Sequence, residues 1–259
     1  MPKINVYLPD ELAAAVKAAE IPVSAVCQKA LADAVQVVTV ARKGIAALRN
    51  PDFDPDARPE FATRLAARMT DRLRTSIELG REAAAGRPVG TGSLLVGMID
   101  EGGNLAVRLL QALDEDIDEL REAALTSTVE EPMPTAAAMA ATGGATGGGE
   151  GGFWSGMTLP VRSAIGAALE ASIDLGHNYI GCEHLLLGLL ADPESGAGRV
   201  LSEAGLDASA VRRSISSALA GFAQSRATAA SAASATTAAL DRVVQRLDAI
   251  ERRLGEAGL

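Results

Sequence analysis

The sequence predicts a mostly α-helical protein with one short strand near its N-terminus. The chain has 259 residues and is 48% hydrophobic but only 3% aromatic. Much of its apolar content is alanine, which suits close-packed helices better than sheets. Two stretches in the middle of the chain are similar to each other, and the last stretch has a heptad pattern. These three features predict a duplicated helical unit followed by a terminal helix.

Composition divides the chain into segments. Two prolines and alternating acids between Asn50 and Pro55 end the first segment, and a Pro/Ala/Gly tract in the middle cannot bury a core. We expect a head at 1–49, a helical unit at 62–127, a flexible linker at 128–152, a second helical unit at 153–222, a linker at 223–237 and a final helix at 238–255.

Charge is distributed unevenly along the chain. The net charge is −9, yet the head carries six Lys/Arg against four Asp/Glu, and it holds all four lysines. A mildly basic head on an acidic body indicates a module that faces anions. Cys27 and Cys182 lie far apart without metal-ligand spacing, and we see neither a signal peptide nor an apolar run long enough to cross a bilayer. The expected location is the cytoplasm.

The two helical units are copies of one pattern. Met69-Thr70 matches Met157-Thr158 at a spacing of 88 residues, and Val89-Gly90 matches Ile180-Gly181 at a spacing of 91. A three-residue shortening in the first copy accounts for the change. Internal duplication therefore covers roughly residues 62–222.

The run LGHNYIGCEHLLLGLL, from Leu175 to Leu190, resembles the Clp N-terminal (Clp R) repeat of the ClpC type. This resemblance implies a duplicated all-α domain that docks substrates and adaptors of the Clp unfoldases. A Walker A loop needs a Gly-rich turn and a lysine that reaches phosphate. None of the lysines of this chain lies in such a loop, so we expect no ATPase. We also expect no other enzyme activity and no cofactor, since the chain shows no catalytic or metal-ligand constellation.

The resemblance also implies a ligand pocket. ClpC-type repeats bind phosphorylated arginine with a Thr near the first helix and with the Glu of a T-E-H triplet. Carried over by position, these residues are Thr158 and Glu183 in the second copy. The first copy keeps Thr70 but has Gly92 in place of the Glu, which implies at most one working pocket. The alternative is structural, with Thr158 capping its helix and Glu183 complementing a helix dipole.

No residues favour catalysis or a metal site. His177 and His184 are the only histidines, with a single acid between them and no nucleophile in a recognisable setting. We expect Cys182 to fill space and Trp154, with Phe153, to cover the core, the alternative being part of a docking groove.

The head alternates polar and apolar residues, with Lys3, Asn5 and Tyr7 on one side of a predicted strand. Two helices follow, the second capped by Ser24. This strand-helix-helix pattern is similar to the ribbon-helix-helix family, in which two chains pair their strands and insert them into the major groove. The resemblance implies DNA contacts by these three residues and phosphate contacts by Val23 and Ser24. The alternatives are a dimerising ribbon without DNA binding and an antitoxin-like clamp.

The final helix carries an a/d seam typical of a short coiled coil. Its members are Leu240, Val243, Leu247, Ile250 and Leu254. Two heptads are marginal alone, but a head that already joins two chains would raise their local concentration. The alternative is an amphipathic helix that folds back on its own chain.

Two functions follow from these patterns. The first is a dimeric, or higher, transcription regulator that binds operator DNA and whose Clp domain binds a peptide, degron or Clp-directed ligand. The second is an adaptor or decoy of the Clp protease system, with the Clp unfoldase, its substrates or its docking-domain ligands as partners. Neither involves a membrane.

Overall fold

The computed structural model describes residues 7–127, 130–135 and 152–221. These ranges contain eleven helices and no strand, which confirms the mostly α prediction. The helices are α1 (Asp10–Ala18), α2 (Val23–Leu48), α3 (Pro59–Ala66), α4 (Asp71–Ala84), α5 (Thr91–Glu101), α6 (Leu105–Ala112), α7 (Ile117–Thr126), α8 (Leu159–Asp174), α9 (Cys182–Leu190), α10 (Gly196–Glu203) and α11 (208–221). The chain divides into two compact units, Met1–Ala204 and Gly205–Leu259, and α11 belongs to the second.

Equivalent side chains cap equivalent helices in the two copies. Each capping oxygen accepts a hydrogen bond from the backbone N–H three residues further on, as N-cap residues do. Thr70 and Thr158 cap α4 and α8, while Asn104 and Ser195 cap α6 and α10. The spacing between the members of each pair is the one that the sequence predicts.

The two copies are joined by backbone hydrogen bonds that repeat with the same spacing. Two isolated parallel bridges pair Met69 with Ile180 and Val89 with Met157. In the first bridge, Thr70 N–H donates to the Ile180 carbonyl (2.9 Å) and Ile180 N–H donates to the Arg68 carbonyl (2.7 Å). In the second, Thr158 N–H donates to the Val89 carbonyl (3.1 Å) and Val89 N–H donates to the Gly156 carbonyl (2.8 Å). Every bond in one bridge has its counterpart in the other, so the copies are related by a pseudo-two-fold axis. The start of each copy's first helix therefore lies beside the other copy.

A glycine allows the first two helices of each copy to touch. A Cβ on Gly97 of α5 would collide with the Ser76 carbonyl and with Gly80 of α4. A Cβ on Gly188 of α9 would collide with the Ala164 carbonyl of α8 in the same way. Only glycine permits backbones to approach this closely.

The last third of α2 belongs to the helical core. Ala41, Ile45 and Leu48 are buried, and a Cβ on Gly166 of α8 would lie 3.6 Å from Ile45 Cγ2. Most of the described side chains of α1 and of the first two thirds of α2 are exposed, with Val16, Cys27 and Val38 half-buried. This 26-residue helix therefore extends from the predicted head into the packed part of the molecule.

The predicted strand is not present where it can be checked. Tyr7 and Leu8 have no strand conformation, and residues 3–6 lie outside the described residues. A strand needs a partner strand to pair with, and this chain offers none within its described ranges. The predicted cap is also wrong: α2 begins at Val23 after Pro22, without a side-chain cap, and Ser24 lies inside the helix.

By length and composition, Val23–Leu48 is able to cross a membrane, which the sequence analysis did not expect. Alanine and valine raise its mean hydropathy despite Lys29 and Asp33. Length and composition do not distinguish a spanning helix from one that packs within a protein. Ile45 and Leu48, near the end of the helix, are buried, whereas none of the stretch that meets the membrane criterion is buried.

Two predicted segments fall largely outside the described residues. The linker at 223–237 and the coiled coil at 238–255 lie wholly outside them, and most of the linker at 128–152 does too. The exception is 130–135, which makes hydrogen bonds to both copies and to the segment after α2.

Candidate binding site between the two repeats

Thr158 is buried, with 3% of its surface exposed, at the start of α8. Its hydroxyl oxygen accepts a hydrogen bond from Val161 N–H at 3.4 Å, which makes it a helix cap. The same hydroxyl donates to the carboxylate of Glu131 at 2.6 Å. Thr158 therefore has a structural role and also faces an anionic group.

The Glu131 carboxylate is held by four neutral donors from both copies. Thr91, the first residue of α5, donates its backbone N–H to both carboxylate oxygens at 3.1 and 2.9 Å, and its hydroxyl also donates to Glu131. Gly196, the first residue of α10, donates its N–H at 3.1 Å. Thr158 is the fourth donor. Two helix N-termini thus converge on one carboxylate, where unpaired N–H groups and the helix dipoles favour negative charge.

Glu183 lies in the other half of the interface, at the start of α9. It is 4% exposed, and its carboxylate folds back over Gly181, whose added Cβ would touch the side chain. Burial raises the pKa of the Glu183 carboxyl, against hydrogen bonds from its own N–H and from Tyr179 that lower it. Its Oε1 atom has no hydrogen-bond partner. A buried carboxylate oxygen without a partner is costly.

The short distance between Glu183 and His184 is not an ion pair. His184 Nδ1 lies 3.2 Å from Glu183 Oε1, but this nitrogen accepts the N–H of Gly181 at 3.0 Å and so carries no proton. Burial lowers the pKa of His184 to about 3, with the neighbouring His177 adding to the effect. His184 is therefore neutral at physiological pH.

The two histidines form a framework pair. His184 Nε2 lies 2.7 Å from His177 Nδ1, and since His184 Nδ1 is an acceptor, His184 Nε2–H donates to His177. Tyr179 stacks on His177 with ring centroids 5.3 Å apart. This arrangement fixes the turn that leads into α9.

The structure does not bring Thr158 and Glu183 together. The pseudo-two-fold axis places Thr158 beside Val89 of the first copy, with which it shares Glu131 through Thr91. It places Glu183 near the bridge between Met69 and Ile180. No hydrogen bond joins these two side chains, both of which are described. The resemblance pairs them within one copy, whereas the interface pairs each with the other copy.

Sequence reasoning missed Thr91, Glu131 and Gly196. Thr91 had a signal, because it is the first-copy counterpart of Cys182 at the 91-residue spacing. Glu131 had none, since it lies in a stretch assigned to a flexible linker. Gly196 contributes only a backbone N–H, which no side-chain pattern reveals.

The described part of the predicted DNA-contacting set is exposed. Tyr7 is 92% exposed and Val23 is 42% exposed, while Ser24 is exposed and its hydroxyl accepts from Gln28 at 3.4 Å. Lys3 and Asn5 lie outside the described residues.

Cys182 and Trp154 are both buried. Burial raises the pKa of the Cys182 thiol to about 12, and Ser76 lies 3.4 Å from its sulfur. A thiol in that state is a poor nucleophile. Trp154 is buried beside Phe153. Among the residues that the structure describes, no group of three or more His, Cys, Asp or Glu side chains is placed to hold a metal.

Comparison with known proteins points to one domain type. Chaperone protein ClpC2, chloroplastic, from Oryza sativa subsp. japonica is 32% identical over 162 residues, covering 61% of this chain and 16% of the relative. The negative regulator of genetic competence ClpC/MecB from Bacillus subtilis (strain 168) is 27% identical over 188 residues, covering 71% of this chain and 21% of the relative. The chain thus spans about a sixth to a fifth of the length of these proteins.

Among solved structures, the N-terminal domain of the chaperone ClpD from Arabidopsis thaliana matches with a TM-score of 0.42 and 24% identity, over 59% of this chain and 95% of that one. Residues 156–258 match the Clp repeat (R) N-terminal domain family. The family match is confined to these residues, and over a longer stretch the chain is similar in sequence to the ClpC chaperones.

Proposed function

We propose that this protein is a non-enzymatic docking protein of the Clp protease system, acting as an adaptor or decoy that shares the docking domain of the unfoldases. The Clp N-terminal domain binds substrates and adaptors without catalysis of its own. The match of residues 156–258 to that domain carries the proposal. A protein that offers the same docking surface competes with the unfoldase for the same ligands.

The chemistry of the interface supports binding. The Thr158 half offers hydroxyl and amide hydrogens, which recognise oxyanions such as carboxylate or phosphate. The Glu183 half offers a buried carboxylate with an unpartnered oxygen, which suits a cationic or strongly donating group. Cys182, the only cysteine in this region, is held as a neutral thiol.

Phosphorylated arginine is one ligand that this chemistry can take. Its phosphoryl group needs donors and its guanidinium needs a carboxylate. Since Thr158 and Glu183 belong to opposite halves of the interface, we propose that Glu183 works with Thr70 of the other copy. Thr70 N–H already bonds to Ile180, two residues before Cys182.

Direct binding tests the proposal. Full-length protein is immobilised and exposed to a ClpC-type unfoldase substrate, casein carrying phosphorylated arginine, with unmodified casein for comparison. Docking predicts saturable binding that the isolated unfoldase N-terminal domain displaces. Binding that this domain leaves unchanged would contradict a shared docking surface.

A second proposal concerns the head, and the exposed apolar surface of α1 and α2 favours it. Leu12, Val26, Leu31 and Val35 are about half exposed, which is unfavourable for one chain in water. A second head would cover them, as a ribbon-helix-helix dimer does. We propose that such a dimer binds operator DNA through Lys3, Asn5 and Tyr7, with Val23 and Ser24 at a phosphate.

A mobility-shift titration at about 150 mM salt tests this second proposal, because non-specific contacts are weak there. The full chain is titrated onto its own upstream DNA and onto scrambled DNA. Specific binding that is lost in the Lys3/Asn5/Tyr7 triple alanine variant is expected. Equal affinity for both DNAs would rule out operator recognition.

A further inference from the structure

The segment that carries Glu131 lies on the repeat interface as a bound peptide would. Leu159 N–H, at the start of α8, donates to the Pro132 carbonyl at 2.8 Å. Thr135 N–H donates to the Pro51 carbonyl at 3.2 Å, and its hydroxyl donates to Asp52 at 2.9 Å. The segment is thus held at both ends and in its middle.

The sequence explains why this segment is not helical. Glu131 and Met133 each precede a proline, which disfavours helical backbone for them. Pro134 is buried and Met133 is half-buried. The segment therefore presents an acidic anchor at one end and apolar contacts after it.

The acidic anchor occupies a place that the second copy fills differently. Gly90 and Gly181 are equivalent N-caps of α5 and α9, and each has a carboxylate over it. Over Gly181 this carboxylate is Glu183, from within the helix; over Gly90 it is Glu131, whose Oε2 would lie 3.2 Å from an added Cβ. In the first copy, the position equivalent to Glu183 is Gly92, where a Cβ would already lie 3.0 Å from the Ala124 carbonyl. The linker thus brings a carboxylate to the copy that lacks one.

The donors that hold Glu131 are the groups that an incoming oxyanion would use. Thr91 and Thr158 are at most 3% exposed, and the hydroxyl of Thr91 is also fixed by Ala197 N–H at 2.9 Å. All are committed to Glu131 in this structure. An external ligand can reach them only after Glu131 leaves.

We propose that residues 131–135 are an intramolecular plug of the site formed by Thr91, Thr158 and Gly196, and that this site takes extended peptides anchored by an acidic side chain. The plug rests on the proposed docking function and names the ligand class of its first-copy half. A tethered segment competes at an effective concentration of about 1 mM. Release of Glu131 therefore controls whether the site is open.

The test adds a peptide of the chain's own residues 130–135, EEPMPT, to the full-length protein. The reporters are the backbone amide NMR signals of Thr91 and Gly196, which donate to the anchor. In Glu131→Ala the peptide is expected to shift both signals saturably. In wild type the same shift should require at least about tenfold more peptide, because the tethered Glu131 competes for the same donors.

Glu130→Ala is the matched control, since Glu130 is exposed on the same segment. It should behave as wild type does. A peptide in which the second glutamate is glutamine should leave the Thr91 and Gly196 signals of Glu131→Ala unmoved. If Glu131→Ala loses its helical circular dichroism, Glu131→Gln, which keeps the shape of the side chain, takes its place.

The plug is overturned if the peptide leaves both signals unmoved in the folded Glu131 variant, or moves them equally in that variant and in wild type. Competition with the unfoldase N-terminal domain is measured separately on wild type. Failure of the peptide while that competition persists removes the plug and leaves the docking function standing. If the peptide shifts the signals as expected but the unfoldase N-terminal domain does not compete, the docking function alone is removed.

Discussion

At the scale of single residues, close contact between helices depends on Gly97. Replacing it with alanine places a methyl group against the Ser76 carbonyl and Gly80, both of which are backbone contacts that cannot rotate away. We expect Gly97→Ala to lower the free energy of unfolding by about 1–3 kcal/mol, the usual cost of overpacking a core. Urea denaturation measures this.

Gly221→Ala is the control for that substitution. It lies in the helix 208–221, and an added Cβ meets nothing within 4 Å. Because alanine fits this exposed helical position, Gly221→Ala should raise the free energy of unfolding by about 0.4–1 kcal/mol. If both substitutions changed stability equally, the close approach of α4 and α5 would be wrong.

His184 gives stability a dependence on pH. Its pKa is about 3 in the folded protein against an ordinary 6.5, so below pH 6.5 the unfolded chain binds a proton that the folded chain does not. Stability is therefore full above 6.5 and falls as pH drops, by about 1.4 kcal/mol per pH unit. Glu183 acts in the opposite direction, because its raised pKa costs stability at neutral pH and that cost is relieved on acidification.

The variant His184→Gln separates the contribution of His184 to this pH dependence from that of other groups, since glutamine does not titrate but can still accept a hydrogen bond from Gly181 N–H. Between about pH 7 and pH 5.5, wild type should lose about 1 kcal/mol more than the variant. Denaturant titrations at the two pH values supply both numbers. An identical loss in the two proteins would show that His184 is protonated in the fold.

At the scale of elements, α2 has two environments. Leu48 is fully buried while Leu31 is 51% exposed. We expect Leu48→Ala to cost about 2–5 kcal/mol, as for other buried leucines. Leu31→Ala should stay within about 0.5 kcal/mol of wild type in a single chain and cost more where the proposed second head covers it. Thermal unfolding of both variants checks this, and a large loss at Leu31 would show that a second chain covers the exposed half.

Helices were predictable from the sequence where repetition supplied a check. The spacings of 88 and 91 fixed equivalent positions, and the caps at Thr70 and Thr158 follow them. The pairing across the interface was not predictable, because spacing says which residues are equivalent and not which ones touch. Of the strand predicted over residues 3–8, the described residues Tyr7 and Leu8 show no strand conformation, because alternating residues form a strand only where a partner strand pairs with them.

At the scale of the whole molecule, duplication produces two related but unequal sites. The pseudo-two-fold interface places a helix-capping threonine and a carboxylate at each half, with Thr158 buried and Thr70 half-buried. In one half the carboxylate belongs to the repeat, and in the other the linker supplies it through Glu131. Divergence of the first copy at Gly92 thus coincides with a new contact from outside the repeat.

The most direct test of the central claim is a competition experiment. A ClpC-type unfoldase with its protease degrades a fixed amount of casein bearing phosphorylated arginine while full-length protein is added. A docking protein that shares the unfoldase's ligands should slow degradation as its concentration passes that of the substrate, and excess substrate should restore the rate if it acts as a decoy. An adaptor should instead raise the rate. A degradation rate that stays constant at every concentration of the protein would contradict the account.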